Sequence, residues 1–173
     1  PTRTTTTMFT GLGATSVGMP VPAVPEALSK GVIDGAVIPW EVVPALKVHE
    51  LVENHTEFGD AHLYTTAFIF AMNSDAYNGL PDDLKAVIDA NSGLEFSAFA
   101  GRTMEEYDAP GRALAEEAGN NIVVLTPEQV DAWRAASKPT IDNWIAEADA
   151  AGLDGQDIYD AATALIAKHS ASN

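Results

Sequence analysis

The sequence contains no cysteine, and it has only nine lysine and arginine residues against 25 aspartate and glutamate residues. The absence of cysteine excludes disulfide bonds, thiolate nucleophiles and cysteine-ligated zinc, but it leaves the cellular compartment open. The formal net charge of −16 argues against nucleic-acid binding, because too few cations are present to neutralise a run of phosphates. No apolar run reaches the roughly 20 residues that cross a bilayer, so we predict a protein that is not embedded in a membrane.

Recognisable catalytic motifs are also missing. The sequence has no G-x-S-x-G nucleophile elbow, no P-loop and no G-x-G-x-x-G fingerprint. His49 and His55 lie six residues apart, whereas zinc-binding H-E-x-x-H places its histidines one helical turn apart. We therefore interpret both as surface histidines and predict no catalytic residue, no metal site and no cofactor.

The first half of the chain predicts alternating strands and helices. A length of 173 residues with 46% hydrophobic content suits one domain or part of a two-domain protein. Apolar runs predict strands at 15–19, 32–38 and 63–72, and helical spacing predicts helices at 4–11, 21–30 and 40–51. This order is typical of an α/β fold, and we assign residues 1–80 to an α/β ligand-binding lobe.

The second half, residues 81–173, predicts mainly helices. A long helix begins near Pro81 and bends at residues 91–93, and Pro110 is expected to break or kink it. A short strand is predicted at 122–125, followed by a capping box from Thr126 to Gln129. Pro139 is expected to interrupt the next helix, and a last amphipathic helix includes residues 158–166.

The segment from Gly31 to Glu41 is the first candidate for a binding site. Gly31 suits a helix C-cap, and the apolar run after it ends at Pro39 and Trp40. Ligands of open α/β sheets bind beyond the carboxyl ends of strands, so this position makes Trp40 a site candidate.

Two blocks of residues resemble a known family. The first contains Gly13-Ala14-Thr15, Met19-Pro20, the run GVIDG at 31–35 and Pro39; the second contains FIFAMN at 68–73 and LPDDL at 80–84. In order and spacing they resemble the solute-binding subunits of tripartite ATP-independent periplasmic (TRAP) transporters, the DctP-like family. The resemblance covers nearly half of the chain and thins after about residue 90.

The resemblance implies a periplasmic-binding-protein-like fold of two lobes that close on a ligand. It implies that most of the first lobe is absent from this sequence, and we expect any signal peptide to have been removed or to lie outside it. The implied function is capture of a small organic acid in the periplasm and its delivery to the membrane subunits of a TRAP transporter, with no bond made or broken.

Site residues follow from the resemblance by position. The family's carboxylate-clamping arginine would lie two positions before Pro1 and is absent here, whereas Thr2 and Arg3 match residues beside that clamp. A guanidinium binds a carboxylate through two parallel hydrogen bonds, so Arg3 is a candidate second donor. The alternative is a surface or interdomain arginine.

The remaining candidate residues are mostly apolar or aromatic. Val21 stands where some relatives place an aromatic ring, and Ile38 stands where sialic-acid-binding members place an asparagine. Trp40 is expected either to stack on the ligand or to lie in the core. His62 matches a position that reaches the ligand in several relatives, or it is a simple loop histidine; Thr65 and Thr66 follow it. These substitutions argue against a sugar acid and favour a smaller or more hydrophobic carboxylate, such as an aromatic or branched keto acid.

Two other functional classes stay open at this point. One is a receptor domain of the same fold that signals in place of transporting. The other is an enzyme on a two-lobed α/β scaffold, because a fold does not by itself determine a function.

Overall fold

The computed structural model describes residues 2–65 and 67–170, with Ser170 described without its side chain. The helices in this part of the chain are α1 (Arg3–Gly11), α2 (Val24–Ser29), α3 (Val43–Leu46), α4 (Ser74–Asn78), α5 (Asp82–Ala90), α6 (Leu94–Glu117), α7 (Pro127–Ala150) and α8 (Gly155–Ser170). Short 3₁₀ turns lie at Val21–Ala23, Trp40–Val42 and Val48–Glu50, and the strands are β1 (Asn54–Glu57) and β2 (Asn121–Val124).

Local side-chain caps determine where several helices begin. Thr2 and Thr5 form a capping box at the start of α1, and Thr126 and Gln129 form the predicted one at the start of α7. Asn73 accepts hydrogen bonds from the backbone N–H groups of Asp75 and Ala76 at the start of α4. Each cap supplies an acceptor to N–H groups that have no partner inside the helix.

One parallel sheet is formed by β1 and β2, with Asn54 opposite Asn121 and Glu57 opposite Val124. The strand predicted at 122–125 is confirmed with a shift of one residue, but β1 was not predicted. Its sequence, Asn-His-Thr-Glu, is polar and carries no apolar alternation.

The strands predicted at 15–19 and 32–38 are wrong, because both segments are irregular. Of the strand predicted at 63–72, the described residues, 63–65 and 67–72, also form no strand. A strand requires a hydrogen-bonding neighbour, and an apolar pattern does not show whether one is present. Several apolar side chains in these segments are exposed, among them Val17, Val32 and Phe70, the last by 93%.

The predicted helix boundaries need three corrections. The helix predicted at 40–51 is divided into two 3₁₀ turns around α3, because Lys47 adopts a left-handed conformation with φ 53°. The helix α6 continues through Pro110 and α7 through Pro139, so neither proline ends its helix. Residues 91–93, where a bend in one long helix was predicted, instead separate two helices, α5 and α6.

Contacts divide the chain into two compact units. The first unit comprises Pro1–Val21 and Leu125–Asn173, where α1 packs on α7 and Phe9 meets Trp133 edge to face at 6.1 Å. Its buried residues include Met8, Val130 and Ala148.

The second unit comprises Pro22–Val124 and is organised around α6. The 3₁₀ turn Trp40–Val42 and α3 pack on this helix, and Val43, Val48 and Ala115 are buried. The predicted division of the chain into a lobe at 1–80 and a helical part at 81–173 is a different partition, and it stays a prediction. Among the described residues, no helix combines the length and the apolar character that crossing a bilayer requires.

Candidate functional site

Trp40 lies at the centre of a polar cluster in the second unit. We call the following residues the Trp40 cluster: Trp40, His55, Glu57, Asp108, Gly111 and Arg112. The last three lie at positions i, i+3 and i+4 of α6 and therefore share one face of the helix. That face packs on the 3₁₀ turn that begins at Trp40.

The side chain of Trp40 is bound by Glu57. The indole Nε1–H donates a hydrogen bond to Glu57 Oε1 at 3.0 Å, and Arg112 Nε–H donates to the same oxygen at 2.7 Å. Arg112 Nη2 also donates to Glu57 Oε2 at 3.3 Å, which completes a two-pronged pair. A single carboxylate from β1 thus joins the indole to α6.

The backbone around Trp40 is bound as tightly as its side chain. The N–H of Glu41 donates to Asp108 Oδ1 at 2.9 Å. At Gly111 the helix approaches so closely that an added Cβ would lie 2.8 Å from the carbonyl carbon of Trp40. Burial, followed by the nearby negative charge of Asp108, raises the pKa of the Glu41 carboxyl above its ordinary value.

His55 stacks against the indole, with ring centroids 4.8 Å apart and planes inclined by 36°. Its Nε2 lies 3.0 Å from Asn120 Nδ2, which also donates to the backbone carbonyl of His49 at 2.9 Å. Because an amide nitrogen only donates, this contact favours an unprotonated Nε2. Burial lowers the pKa of His55, Glu57 opposes that effect, and His49 adds to it.

The interpretation of both histidines as surface residues is wrong. The side chain of His49 is only 12% exposed, and its buried Nδ1 has no hydrogen-bond partner among the described residues. His55 is half-buried on β1, where one ring face meets Trp40. Their six-residue spacing correctly argued against H-E-x-x-H, but spacing alone carries no information about burial.

In the first unit, Thr2 and Arg3 already have protein partners. The Thr2 hydroxyl accepts a hydrogen bond from the Thr5 N–H at 3.1 Å as part of the α1 cap. Arg3 Nη2 forms an ion pair with Glu147 Oε2 of α7, although the Arg3 side chain is 82% exposed. A shallow cleft beside this pair is lined by threonines of α1 together with Asn143 and Trp144 of α7.

The other predicted contact residues have different degrees of exposure. Val21 and Ile38 are half-buried, whereas His62 and Thr65 are exposed in the irregular segment between β1 and α4. Thr66 lies outside the described residues. For all of these residues, contact with a ligand stays a prediction.

Sequence reasoning proposed Trp40 as a site candidate, which stays a prediction, but it missed the residues that hold Trp40. Glu57 and Arg112 lie 17 and 72 positions after Trp40, so no local motif connects the three. The one available signal was the i, i+3, i+4 spacing of Asp108, Gly111 and Arg112, which the predicted helix break at Pro110 concealed.

Comparison with protein families gives a match over most of the chain. The family model for DctP, described as bacterial extracellular solute-binding protein family 7, matches residues 1–148. The matched residues include the whole second unit and α1.

Solved structures give a second, independent comparison. A TRAP solute-binding protein from Rhodoferax ferrireducens T118, in complex with copurified benzoate, has a TM-score of 0.93 and 45% identity over 98% of this chain. A marine metagenome TRAP solute-binding protein specific for aromatic acid ligands, solved with 3-hydroxybenzoate, has a TM-score of 0.88 and 44% identity over 97% of this chain. A periplasmic relative from Desulfovibrio salexigens DSM2638 has a TM-score of 0.75 and 28% identity over 100% of this chain.

The chain spans about half of each of these solved relatives, 53% of their length. Their similarity confirms the predicted fold class, an α/β periplasmic-binding-protein-like fold of which this chain supplies a part. The family resemblance inferred from residues 13–39 and 68–84 is likewise confirmed.

Proposed function

Because the chain belongs to the DctP family of bacterial extracellular solute-binding proteins, we propose that the protein of which it is part captures an aromatic carboxylate and delivers it to a TRAP transporter. The observation that carries this proposal is the 44–46% identity to TRAP solute-binding proteins whose structures contain benzoate, 3-hydroxybenzoate or metahydroxyphenylacetate. Each of these ligands combines a flat aromatic ring with one carboxylate.

The side chains around Trp40 support an aromatic ligand body. The half-buried indole presents a large rigid ring, and Ile38 lies two positions before it in an irregular segment. Aromatic rings bind one another in offset or edge-to-face arrangements, and an aliphatic neighbour excludes water from such a contact. The charged groups nearest the indole, Glu57 and Arg112, already bind each other, and Glu57 also binds the indole N–H.

Arg3 is our candidate for a hydrogen-bond donor to the ligand's carboxylate, and its ion pair with Glu147 affects whether it can take that role. The guanidinium can be shared, because only Nη2 contacts Glu147 in the described contacts. An exposed pair of this kind contributes about 0–1 kcal/mol to folding, so its partial rearrangement costs little.

We predict that Arg3→Ala weakens binding by about 2–5 kcal/mol if Arg3 donates to the ligand carboxylate. The free energy of unfolding should change by no more than about 1 kcal/mol, because the pair with Glu147 is exposed. Isothermal titration and denaturant unfolding measure the two quantities. Glu147→Gln is the matched control, since it breaks the same pair and leaves the guanidinium in place; unchanged affinity in Arg3→Ala would remove Arg3 from the site.

The proposed partners and location follow from the family. The protein would work outside the cytoplasm, in the periplasm, and its ligand-bound form would dock on the membrane subunits of the transporter. The proposed activity is binding and release, so the site needs shape and charge complementarity to the acid and no nucleophile. We propose no catalytic step.

A thermal-shift screen of the full-length protein tests the proposed ligand class. The panel contains benzoate, 3-hydroxybenzoate, a branched keto acid, a sugar acid and a small dicarboxylate, with ligand-free refolded protein. A ligand at about 100 times its dissociation constant adds roughly 2.7 kcal/mol of stability. A shift confined to the aromatic acids would support the proposal, whereas a shift produced only by the sugar acid or the dicarboxylate would overturn it.

A further inference from the structure

We propose that Glu57 and the Asp108–Arg112 face of α6 position Trp40 for stacking on the ligand's ring, and thereby determine the preference for aromatic over aliphatic carboxylates. This inference rests on the proposed function. It assigns to Glu57, Gly111 and Arg112 a role that no sequence motif indicates.

The backbone of Trp40 is the first element that this arrangement holds. Asp108 accepts the N–H of the residue after Trp40 at 2.9 Å. Gly111 lies against the Trp40 carbonyl group with no room for a side chain. These two contacts come from residues three positions apart on α6, and together they hold the backbone of Trp40 in place.

The indole plane is the second element. A tryptophan side chain has two rotatable bonds, and its remaining freedom is removed by one hydrogen bond and one ring contact. Glu57 supplies the hydrogen bond at Nε1, and His55 covers part of the ring at 4.8 Å. The ring orientation is therefore determined before any ligand binds.

Arg112 holds Glu57 in turn. Its guanidinium donates to both oxygens of Glu57, and Nη1 donates to Glu116 one turn further along α6. The Glu57 carboxylate is thus attached to a 24-residue helix, which limits its movement. A side chain held in this way loses little entropy when a ligand binds, and such preorganisation increases affinity.

The geometry favours a positioning role over core packing alone. Trp40 is half-buried, and the Glu57 side chain is 21% exposed to solvent, so the cluster lies near the surface. A tryptophan needed only for packing could use a solvent-facing Nε1–H bonded to water. Here the indole N–H is bound by Glu57, which is itself paired with Arg112. This charged pair therefore controls the position of the indole ring.

Calorimetric titration of the full-length protein with benzoate and with cyclohexanecarboxylate tests this role. The two acids have similar size and charge, but only benzoate has an aromatic ring. We expect Glu57→Gln to weaken benzoate binding roughly 3- to 10-fold, the size of one aromatic contact, and to change cyclohexanecarboxylate binding far less. Arg112→Lys, which keeps the charge but loses the fork, should shift the ratio of the two dissociation constants in the same direction.

Asp142→Asn serves as the control variant, because Asp142 also accepts two hydrogen bonds from one cation, Lys138, but lies in the first unit. It should leave the ratio unchanged. Tryptophan fluorescence and near-ultraviolet circular dichroism report whether each variant is folded, and Arg112→Lys replaces Glu57→Gln if the latter does not fold. Equal weakening of both acids, or an unchanged ratio, would overturn the positioning role; failure of the unaltered protein to bind benzoate would overturn the proposed function as well.

Discussion

Gly111 is the residue at which the Trp40 cluster leaves no space for a side chain. An added Cβ would lie 2.8 Å from the Trp40 carbonyl carbon and 3.4 Å from Pro44 Cδ. The obstacle is backbone on the facing turn, which cannot rotate away as a side-chain end could. Gly111 and Gly101 occur in the same helix, yet nothing lies within 4 Å of a Cβ added at Gly101.

We therefore predict opposite effects of alanine at these two glycines. Gly111→Ala should lower the free energy of unfolding by about 1–3 kcal/mol, through overpacking. Gly101→Ala should raise it by about 0.5–1 kcal/mol, because alanine favours the helix. Denaturant unfolding of both variants measures the difference, and a stabilising Gly111→Ala would contradict the close approach.

His55 provides a prediction about pH. Its pKa is lowered from the ordinary 6.5, chiefly by burial, so the unfolded state binds more protons than the folded state between the two pKa values. The free energy of unfolding should therefore fall as the pH is lowered from about 6.5 through the folded-state pKa. Urea titrations at several pH values measure this slope. His55→Gln should reduce this slope, and an unchanged slope in that variant would contradict the burial of His55.

At the scale of single elements, helix starts are encoded locally and strands are not. Thr126 and Gln129 lie three residues apart, and their reciprocal hydrogen bonds at the start of α7 involve no distant residue. In contrast, β1 exists only because β2, some 67 residues later, pairs with it. This difference explains why the capping box was predicted and β1 was not.

The cap of α7 gives an element-scale prediction. Thr126→Ala should lower the free energy of unfolding by about 1 kcal/mol, because the Gln129 N–H loses its acceptor. Thr126→Ser keeps the hydroxyl and should cost much less. Thermal unfolding of the two variants supplies the measurement, and an equal loss in both would assign the effect to the lost methyl group.

At the scale of the whole molecule, the exposed apolar run Phe68–Ile69–Phe70 needs explanation. These three side chains are exposed, and their segment is irregular and pairs with no strand among the described residues. Apolar runs that are buried on both faces are typical of strands inside a sheet with covered faces. Left exposed, such a segment is a site of association.

We accordingly expect the 173-residue chain, expressed by itself, to bind the dye ANS and to self-associate at micromolar concentration. Phe70→Lys should reduce both, because a charge opposes edge-to-edge pairing. Val17→Lys, at an exposed apolar residue in the first unit, is the control and should change little. Analytical ultracentrifugation measures the association, and a monomeric unaltered chain without dye binding would contradict this expectation.

The sequence by itself determined the family resemblance, the capped start of α7 and the choice of Trp40 as a site candidate. These features depend on residues that are neighbours in the chain: the GVIDG run carries the family resemblance, and local physical chemistry is sufficient to interpret the Thr126–Gln129 spacing and the Pro39–Trp40 pair. Only the tertiary structure decided what holds Trp40, which histidines are buried and which apolar runs become strands. Glu57 and Arg112 are 55 residues apart, and the partner of each strand and each charge is chosen by how the chain packs.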